Sequence, residues 1–367
     1  MLHLHRRYAV LMTHFLRDIL RQLDELERTL DHLSGTGRSA LDAAVAAVRS
    51  ARHVYLTGIG SSWHAGLNVS ALFQLGARPV YLVDAAELVQ FAAIPAESVP
   101  IVISRSGRSV EIVQLLAKAR ASGATVIGIT NVAEGTLARE AQIAMVVPVA
   151  LDHAISVNTY TTLALTAGVL AASVVGSFDA GFAESLSRAF AVAGRAIPGW
   201  QAQIENSAWL APRSTTYFLA RGSSLGSAYE ARLMWEEGVK SPATAMGTGS
   251  FRHGPQEIVA KDVRFGLWID GAKMREQDLA VARDLRKLGA RVMLIGQRLP
   301  EDAGDLVFQL PEIASEWQFL IDIIPAQLVA ERLARLSGSD PDTFRLSSFV
   351  VEDEAGLLPK PAHREKP

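Results

Sequence analysis

Cysteine is absent from the 367-residue sequence. Within these residues, this excludes disulfides, thiolate metal ligands and a cysteine nucleophile. A dominant charge is also lacking, because 36 basic and 38 acidic residues give a formal net charge of -2. Such a chain has no broad positive field to attract a polyanion. The sequence therefore predicts no nucleic-acid partner.

Long uncharged apolar runs are scarce as well. Histidine and arginine interrupt the apolar stretch of the first twenty residues, and no small-residue cleavage site follows it. The apolar run that begins at Thr161 contains threonine and glycine and is shorter than a membrane span. We therefore expect a cytoplasmic protein with no membrane partner, in which such runs form buried helices.

The sequence does contain enough apolar material for two cores. Hydrophobic residues make up 49% of the chain and charged residues 20%, which is typical of compact domains. A chain of this length exceeds one ordinary hydrophobic core. We expect an N-terminal helical segment at 1–40, a first domain at 41–195, a second at 196–345 and a tail laid over the surface at 346–367.

Strand-like runs alternate with helical patterns in the first predicted domain. After an amphipathic helix from Met12 to Leu33, the pattern predicts strands that begin at His53, Pro79, Val99, Ala124 and Ile143. It predicts helices at 67–75, 86–91, 110–121 and 135–141, then a helical stretch at 159–209. This alternation is typical of an α/β fold in which helices cover both faces of a parallel sheet, giving three α/β/α layers.

The same pattern then recurs. The run TTYFLARGSSLGSAYEARL from Thr215 matches HVYLTGIGSSWHAGLNVSAL from His53, and GARVMLIG from Gly289 matches GATVIGIT from Gly123. The offset of about 160 to 170 residues is too long for a solenoid repeat and fits a duplicated domain. A closing helix is predicted at 316–336.

The segment SRSGRS, residues 104–109, leaves a predicted buried strand and opens a helix. Helix N-termini offer unpaired N–H groups, so Ser104, Ser106 and Ser109 could surround one phosphate while Arg105 or Arg108 adds charge. The alternative is that Ser106 or Ser109 only caps the helix.

Two further features favour the phosphate interpretation. The turn GIGSS, residues 58–62, ends another strand of the same sheet, and ligands of open α/β sheets bind at the carboxyl ends of the strands. In the second copy Asp270 begins the stretch DGAK where the first copy has SRSG. An acidic residue there repels phosphate, so we expect one anion site per chain.

These residues resemble the sugar isomerase (SIS) domain family, in particular the isomerase half of glutamine–fructose-6-phosphate transaminases and the related amino-sugar phosphate deaminases and deglycases. The resemblance covers about residues 12–350 and rests on SRSGRS, on GSSWHAG and on EEGVK followed by FRHGP. It implies two tandem SIS domains, each with a flavodoxin-like parallel sheet.

The resemblance also implies residue roles. The phosphate of a phosphorylated sugar or amino sugar would bind Ser62, Ser104, Arg105, Ser106 and Ser109, with Ser61 adjacent, and the sugar would lie near Ala154 and Ser156. Glu237 would move a proton between the first two carbons of the sugar, and Glu230 would be a second acidic residue in the site. His253 would open the sugar ring from the neighbouring subunit, which implies a homodimer with shared sites. No cofactor and no metal are implied.

The chemistry fits these residue types. Interconversion of an aldose and a ketose needs a carboxylate that takes a proton beside a carbonyl and a group that serves the ring oxygen. Glu230, Met234 and Glu237 are spaced for one helical face, where buried acids are costly unless used or paired. One alternative is that Glu236 and Glu237 are both solvated at the helix end before Gly238, and another is that His253 is a loop or N-cap-region histidine. Structural or peripheral roles are expected for His64 and His153. Asp152 and His153 lie near the segment around Ala154 and Ser156, so participation in the site is their alternative role.

The sequence also departs from the transaminase pattern. Ser347 and Ser348 stand where that enzyme has a tail lysine, and Met234 and Asn158 replace two further lysines. With no cysteine, the chain is not expected to draw nitrogen from glutamine. We therefore expect an isomerase, deaminase or deglycase acting on a ketose or amino-sugar phosphate. The alternative is a non-catalytic sugar-phosphate sensor, whereas a purely structural scaffold leaves SRSGRS unexplained.

Overall fold

The computed structural model describes residues 12–211, 214–354 and 356–357. The strands in these residues are β1 His53–Thr57, β2 Tyr81–Leu82, β3 Ser98–Ile103, β4 Ile127–Thr130, β5 Ile143–Val146, β6 Thr216–Ala220, β7 Ala243–Gly247, β8 Arg264–Trp268, β9 Arg291–Gly296 and β10 Leu306–Gln309. The helices are α1 His14–Ser34, α2 Arg38–Ser50, α3 Ser61–Leu75, α4 Ala85–Phe91, α5 Val110–Ser122, α6 Thr136–Glu140, α7 Asn158–Val175, α8 Ala180–Glu205, α9 Leu225–Met234, α10 Thr248–Phe251, α11 Arg275–Lys287 and α12 Ile323–Leu336.

Two five-stranded parallel sheets organise the chain. The first has the order β2-β1-β3-β4-β5, and the second has the order β7-β6-β8-β9-β10 when it is followed from its β7 edge. Both are the flavodoxin-like order, in which the chain reverses direction across the sheet next to its first strand. The α/β class with parallel sheets and flanking helices is therefore confirmed. The three-layer arrangement and the duplication of a SIS domain stay predictions.

One hydrophobic cluster extends over both sheets. It contains Leu56 and Ile101 from the first sheet, Phe218 and Ile295 from the second, and most of α7. By length and composition α7 is apolar enough to cross a membrane, but 89% of it is buried inside the protein. The expected buried helix is therefore confirmed at this position. The predicted domain boundary at residues 195 and 196 lies within α8 and stays a prediction.

Three helix boundaries differ from the sequence prediction, and each has a local cause. Helix α3 begins at Ser61 rather than residue 67, because its first turns bury polar residues and so lack apolar periodicity. The stretch 159–209 divides at Gly176, which has a φ of 77° and ends α7. The closing helix predicted from Glu316 begins at Ile323 after a separate 3-10 turn, with Pro325 in its first turn, where no N–H is needed.

Candidate active site

A cavity of about 240 Å³ opens at the carboxyl ends of β1 and β3. This is the reversal point of the first sheet, where ligands of such folds bind. Its lining includes the residues predicted to bind the phosphate and sugar, together with Glu237: Ser61, Ser62, Ser104, Arg105, Ser106, Ser109, Ala154, Ser156 and Glu237. The structure therefore brings these residues to one place, and their individual roles stay predictions.

The loop at residues 104–109 is folded so that its hydroxyls can donate. Ser104 Oγ accepts the N–H of Gly107 at 3.1 Å, and Ser106 Oγ accepts the N–H of Arg108 at 3.2 Å. Each hydroxyl proton is then left for an acceptor in the cavity. Gly107 has a φ of 63°, and a Cβ there would lie 2.9 Å from the Cβ of Leu137, so a side chain is excluded.

Ser109 is the N-cap residue of α5, but its side chain makes no capping hydrogen bond. The alternative in which Ser109 serves only to cap the helix therefore lacks its expected contact. The first turn of α5 adds unpaired amide groups and the positive end of the helix dipole. An anion in the cavity would meet this helix end and the serine hydroxyls together.

Arg105 joins three parts of the cavity wall. Its guanidinium donates to Ser156 Oγ at 3.1 Å, to the carbonyl of Ala154 at 3.4 Å and to the carbonyl of Phe349 at 2.6 Å. The guanidinium carbon also lies 3.9 Å from the centre of the Phe349 ring. Burial lowers the pKa of Arg105, and nearby acids, Asp152 first, oppose this effect. The side chain thus contacts the sugar stretch and the tail, and the phosphate contact implied by the resemblance stays a prediction.

Glu237 lies in a single π turn, Trp235–Val239, which follows α9. Helix α9 ends at Met234, so the single α-helical face expected for Glu230, Met234 and Glu237 is interrupted. Such π turns occur frequently at functional sites. Its neighbour Glu236 is exposed, as the solvated alternative predicted, whereas Glu237 is half-buried and lines the cavity.

The surroundings of Glu237 change its acidity. Burial, followed by the charge of Glu230, raises the pKa of Glu237 from 4.5 to about 7, although Arg105 and Lys240 act in the opposite direction. A carboxyl group with a pKa near neutrality exchanges protons readily at neutral pH. The cavity therefore combines the predicted phosphate loop with a group whose pKa suits proton transfer.

Glu230 and His64 form a buried pair beside the cavity. His64 Nδ1 lies 2.7 Å from Glu230 Oε2, and Ser61 Oγ donates to Glu230 Oε1 at 2.9 Å. Glu230 is fully buried and contacts the cavity through Ser61, which lines it. This pairing of His64 was not predicted from the sequence. His64 lies on α3, which follows the first strand of the first sheet, and Glu230 lies on α9, which follows the first strand of the second sheet. Only the correspondence of these two helices in the predicted repeat could have indicated the contact.

Asp152 fixes the conformation of the turn that follows Ala154 and Ser156, the segment predicted to contact the sugar. Its carboxylate accepts the backbone N–H groups of Val157, Asn158 and Thr159 at 2.9 to 3.0 Å, and also the side chains of the last two. This turn holds the segment that contains Ala154 and Ser156 against the cavity. His153 stacks on His14 with 4.0 Å between ring centres. Both residues therefore make structural contacts, and their participation in the site stays an untested alternative.

The described part of the predicted tail lies on the surface, with residues 346–349 exposed, and it also lines the cavity. Residues 355 and 358–367 lie outside the described residues. Phe344 and residues 347–351 line the cavity, so Ser347 and Ser348 lie at its edge. The carbonyl of Val351 accepts the N–H of Val110 at 3.0 Å, at the first residue of α5. The tail thus completes the cavity wall, and its Ser347 and Ser348 offer hydroxyls where the resembled transaminase has an amine.

In the corresponding loop of the second sheet, the side-chain carboxylate of Asp270 binds the loop amides. The carboxylate of Asp270 accepts the N–H groups of Ala272, Lys273 and Met274 at 3.2, 2.9 and 2.8 Å, just before α11. A carboxylate therefore occupies the amide cluster that an external phosphate would need. This agrees with the expectation of one anion site per chain.

His253 is exposed and lies outside the cavity of its own chain. This position is compatible with the expectation that it serves a neighbouring subunit, which stays a prediction. Within the residues that the structure describes, no group of three or more His, Cys, Asp or Glu residues is arranged to hold a metal ion.

Comparisons with known proteins agree with the motifs. Residues 47–173 match the SIS domain family. The chain is 25% identical over 354 residues to the isomerizing glutamine–fructose-6-phosphate aminotransferase of Pyrobaculum aerophilum, covering 93% of this chain and 58% of the relative. The chain thus spans just over half the length of this relative.

Solved structures show the same fold. The C-terminal domain of glucosamine-fructose-6-phosphate aminotransferase from Francisella tularensis has a TM-score of 0.81 at 21% identity, with 90% of this chain and 98% of that chain covered. Glucosamine-6-phosphate deaminase from Thermotoga maritima has a TM-score of 0.78 at 22% identity, with 92% and 99% covered. The resemblance predicted from the motifs is confirmed: residues 47–173 match the SIS domain family, and the fold is that of these solved structures.

Proposed function

We propose that this protein is an enzyme that transfers a proton between C1 and C2 of a ketose phosphate or an amino-sugar phosphate. The observation that carries the proposal is that the serine loop at 104–109 and Glu237 line one cavity. The loop comes from the first sheet and Glu237 follows α9 of the second half of the chain. A ligand that touches both is held at one end and exposed to an acid–base group at the other.

The phosphate is the anchored end in this proposal. The protons of Ser104 and Ser106 are free to donate because their oxygens already accept loop amides. Hydrogen bonds from hydroxyls and amides to a charged acceptor are about twice as strong as those between neutral groups. The loop therefore favours a phosphorylated sugar over its uncharged parent and fixes the register of the sugar chain.

Glu237 carries the proton in this proposal. In its ionised form it removes the proton from the carbon next to the carbonyl, which gives an enediol or enaminol, and the protonated carboxyl then returns the proton to the neighbouring carbon. The raised pKa of about 7 keeps both forms populated at neutral pH. No oxidant or reductant is consumed, since one carbon is reduced as the other is oxidised.

The names of the relatives support an amino sugar. They include an isomerizing aminotransferase and a glucosamine-6-phosphate deaminase. For this chain we propose release of the amine or plain isomerisation, because Ser347 and Ser348 offer no amine with which to form a Schiff base to the sugar. A homodimer in which His253 serves the partner's site, and a cytoplasmic location, belong to the same proposal.

The test is incubation with glucosamine-6-phosphate, fructose-6-phosphate and N-substituted fructosamine-6-phosphates, with detection of sugar products and free amine. Isotope exchange from deuterated water into C1 or C2 of the sugar reports the proton transfer even when no net product forms. Turnover or exchange with at least one phosphorylated sugar, and none with its unphosphorylated parent, is expected. Tight binding without turnover or exchange would instead indicate a sugar-phosphate sensor.

A further inference from the structure

Glu230 is a fully buried carboxylate, and both of its oxygens contact helix α3. Its Oε1 accepts the hydroxyl of Ser61 at 2.9 Å, and its Oε2 lies 2.7 Å from Nδ1 of His64. In the described part of the chain no lysine or arginine forms an ion pair with Glu230, and His64 is its one basic partner. A buried carboxylate is costly unless it is paired, so the charge of Glu230 depends on these two contacts.

Two aromatic rings enclose the imidazole of His64. Its centre lies 5.8 Å from the ring centre of Trp63 and 5.8 Å from that of Tyr229 on α9. His64 is 3% exposed, so its contact with Glu230 is shielded from water. An ionised carboxylate can only accept, so Nδ1 carries the proton of this hydrogen bond. In such a dry environment the bond is stronger than its equivalent at the surface.

The charge of Glu230 acts on the carboxyl group of Glu237 in the cavity. Burial raises the pKa of Glu237 most, the charge of Glu230 comes next, and Glu236 adds to them, whereas Arg105 and Lys240 act in the opposite direction. Glu236 is exposed and the two basic residues are half-buried, so Glu230 is the one fully buried charge of this set. A buried charge is screened less by salt than an exposed one. Whether Glu230 is ionised therefore matters for Glu237.

The other groups that face Glu230 do not replace His64. Burial, followed by the charge of Glu230, raises the pKa of Tyr160 on α7 well above its ordinary value, and Asp322 adds to this effect, so the phenol stays neutral. Arg105 acts on Glu230 by its charge, but its guanidinium donates to residues 154 and 156 and to the tail. The direct support of the Glu230 charge thus comes from α3.

We infer that His64 is a positioning residue whose hydrogen bond keeps Glu230 ionised, and that the negative charge held there controls the protonation of Glu237. His64 lies outside the cavity wall, so it acts through Glu230 and not on the ligand. The acid–base role of Glu237 rests on the proposed function. The control by His64 goes beyond that function and depends on no particular sugar.

Replacing His64 by leucine tests this control. His64→Leu removes the donor, so the buried Glu230 retains one hydrogen bond and should take up a proton rather than stay charged. A neutral Glu230 no longer opposes the ionisation of Glu237, and the rising limb of kcat/KM should move to lower pH by about one pH unit. A pH profile of kcat/KM, measured with a phosphorylated sugar that the protein converts, locates this limb.

Two further variants separate this role from simple packing. His64→Asn supplies an amide N–H in place of Nδ1 and should leave the limb close to that of the unmodified protein. His32→Leu alters a half-buried histidine on α1 that contacts Thr36, and as the matched control it should not move the limb. A residue that only packs would lower stability or overall activity and leave the limb in place.

Glu230→Gln tests the same charge at its source, and it decides the matter if His64→Leu does not fold. This change removes the charge and keeps the volume, so the limb should again move to lower pH by about one pH unit. Adding His64→Leu to Glu230→Gln should produce no further movement, because the two residues act through one charge.

A measurement without substrate tests the inference independently of the proposed function. Ionising the half-buried Glu237 costs stability, so Glu237→Gln should stabilise the protein against denaturant increasingly as the pH rises. In a His64→Leu background this gain should be smaller and should stop increasing at a lower pH, because Glu237 ionises more easily there.

The outcomes separate the inference from the proposed function. If His64→Leu and Glu230→Gln leave the limb and the stability gain unchanged, control by His64 is refuted and the enzyme assignment stands. Movement of the limb to higher pH in His64→Leu would also refute it, because the imidazole would then supply a positive charge instead of keeping Glu230 ionised. If no phosphorylated sugar reacts or exchanges its proton, the proposed function fails, and the stability measurement alone decides the inference.

Discussion

Glu236 and Glu237 are neighbours on one turn, yet their surroundings differ. Glu236 is exposed and lies near Arg232, whereas Glu237 is half-buried between Arg105, Lys240 and the charge of Glu230. The sequence supplied two adjacent acids and no means of separating them except the family resemblance. The π turn after Met234, which rotates Glu237 into the cavity, is not encoded by apolar periodicity.

Replacing Glu237 by glutamine tests the acid–base role. Glu237→Gln removes the proton acceptor and keeps the volume, so turnover should fall by about two to four orders of magnitude. The dissociation constant for the substrate should change little, because the serine loop is intact. Calorimetric titration and steady-state kinetics give both numbers. Glu184→Gln, an exposed change on α8, is the control, and loss of binding in Glu237→Gln would show that the residue positions the ligand instead.

The activity of the enzyme should follow the ionisation of Glu237. Its pKa is raised to about 7 by burial and by Glu230. The proton-accepting form is the carboxylate, so kcat/KM should rise about tenfold per pH unit below 7 and level off above it. A pH profile of kcat/KM measures this limb. A limb centred near the ordinary value of 4.5 would mean that Glu237 is not the base.

The contribution of Glu237 to the stability of the folded state should fall as the pH rises, whereas the activity should rise. The folded state raises the pKa of Glu237, so it binds this proton more tightly than the unfolded chain does. The resulting contribution to stability is fully present below about pH 4.5 and is lost as the pH rises through 7. Glu237→Gln should therefore unfold at a higher denaturant concentration than the unmodified protein at pH 8, and the difference should shrink towards pH 4. An equal difference at both pH values would contradict the shift.

At the scale of elements, the sequence predicted the strands well and the polar turns poorly. Strands β1, β3 and β5 begin within one residue of their predicted starts, because buried parallel strands are continuous apolar runs. The first turns of α3 were missed because they bury Ser62, His64 and Asn68 at the contact with the second half of the chain. Polar residues whose partners are distant in sequence give no periodic signal.

The tail shows the same limit. Gly, Pro and charge predicted a surface segment but not its contacts: Phe349 covers Arg105 and Val351 accepts an amide of α5. These are contacts over more than 200 residues of sequence, two of them made by backbone carbonyls whose position no residue type reveals. In contrast, the serine loop was predicted correctly as a turn after a strand, since its glycine and the following helix are local features.

The serine loop and its counterpart in the second sheet allow a matched experiment. Ser106→Ala combined with Ser109→Ala removes two donors to the phosphate and should weaken the binding of phosphorylated sugars roughly 100-fold, at about 1.5 kcal/mol or more for each bond to a charged group. Asp270→Ala changes the equivalent loop, whose amides are occupied by its own carboxylate. It should leave affinity unchanged while lowering the free energy of unfolding by about 1 kcal/mol. Unchanged affinity in the serine variant would remove this loop from the site.

At the scale of the whole molecule, the two sheets have the same strand order but different loops at their reversal points. The first loop presents serine hydroxyls, whereas the amides of the second loop are bound by the carboxylate of Asp270. The second half instead contributes Glu237 to the cavity of the first, and its buried Glu230 accepts a hydrogen bond from Ser61 in the cavity wall. In the proposed function the two halves of the chain thus divide anchoring and proton transfer between them, and one hydrophobic cluster contains residues of both sheets.

The exposed position of His253 makes the proposed shared site testable by mixing. In a homodimer whose sites each combine Glu237 of one subunit with His253 of the other, Glu237→Gln and His253→Gln should each inactivate both sites. Random reassembly of equal amounts makes half of the dimers mixed, and in each mixed dimer one site receives both intact residues. Mixing should therefore restore about one quarter of the unmodified activity. Size-exclusion chromatography checks that dimers form. The Glu184→Gln variant, dissociated and reassembled in the same way, gives the activity expected when every site is intact. If activity does not return although mixed dimers have formed, each chain works with its own residues, and His253 does not serve the neighbouring site.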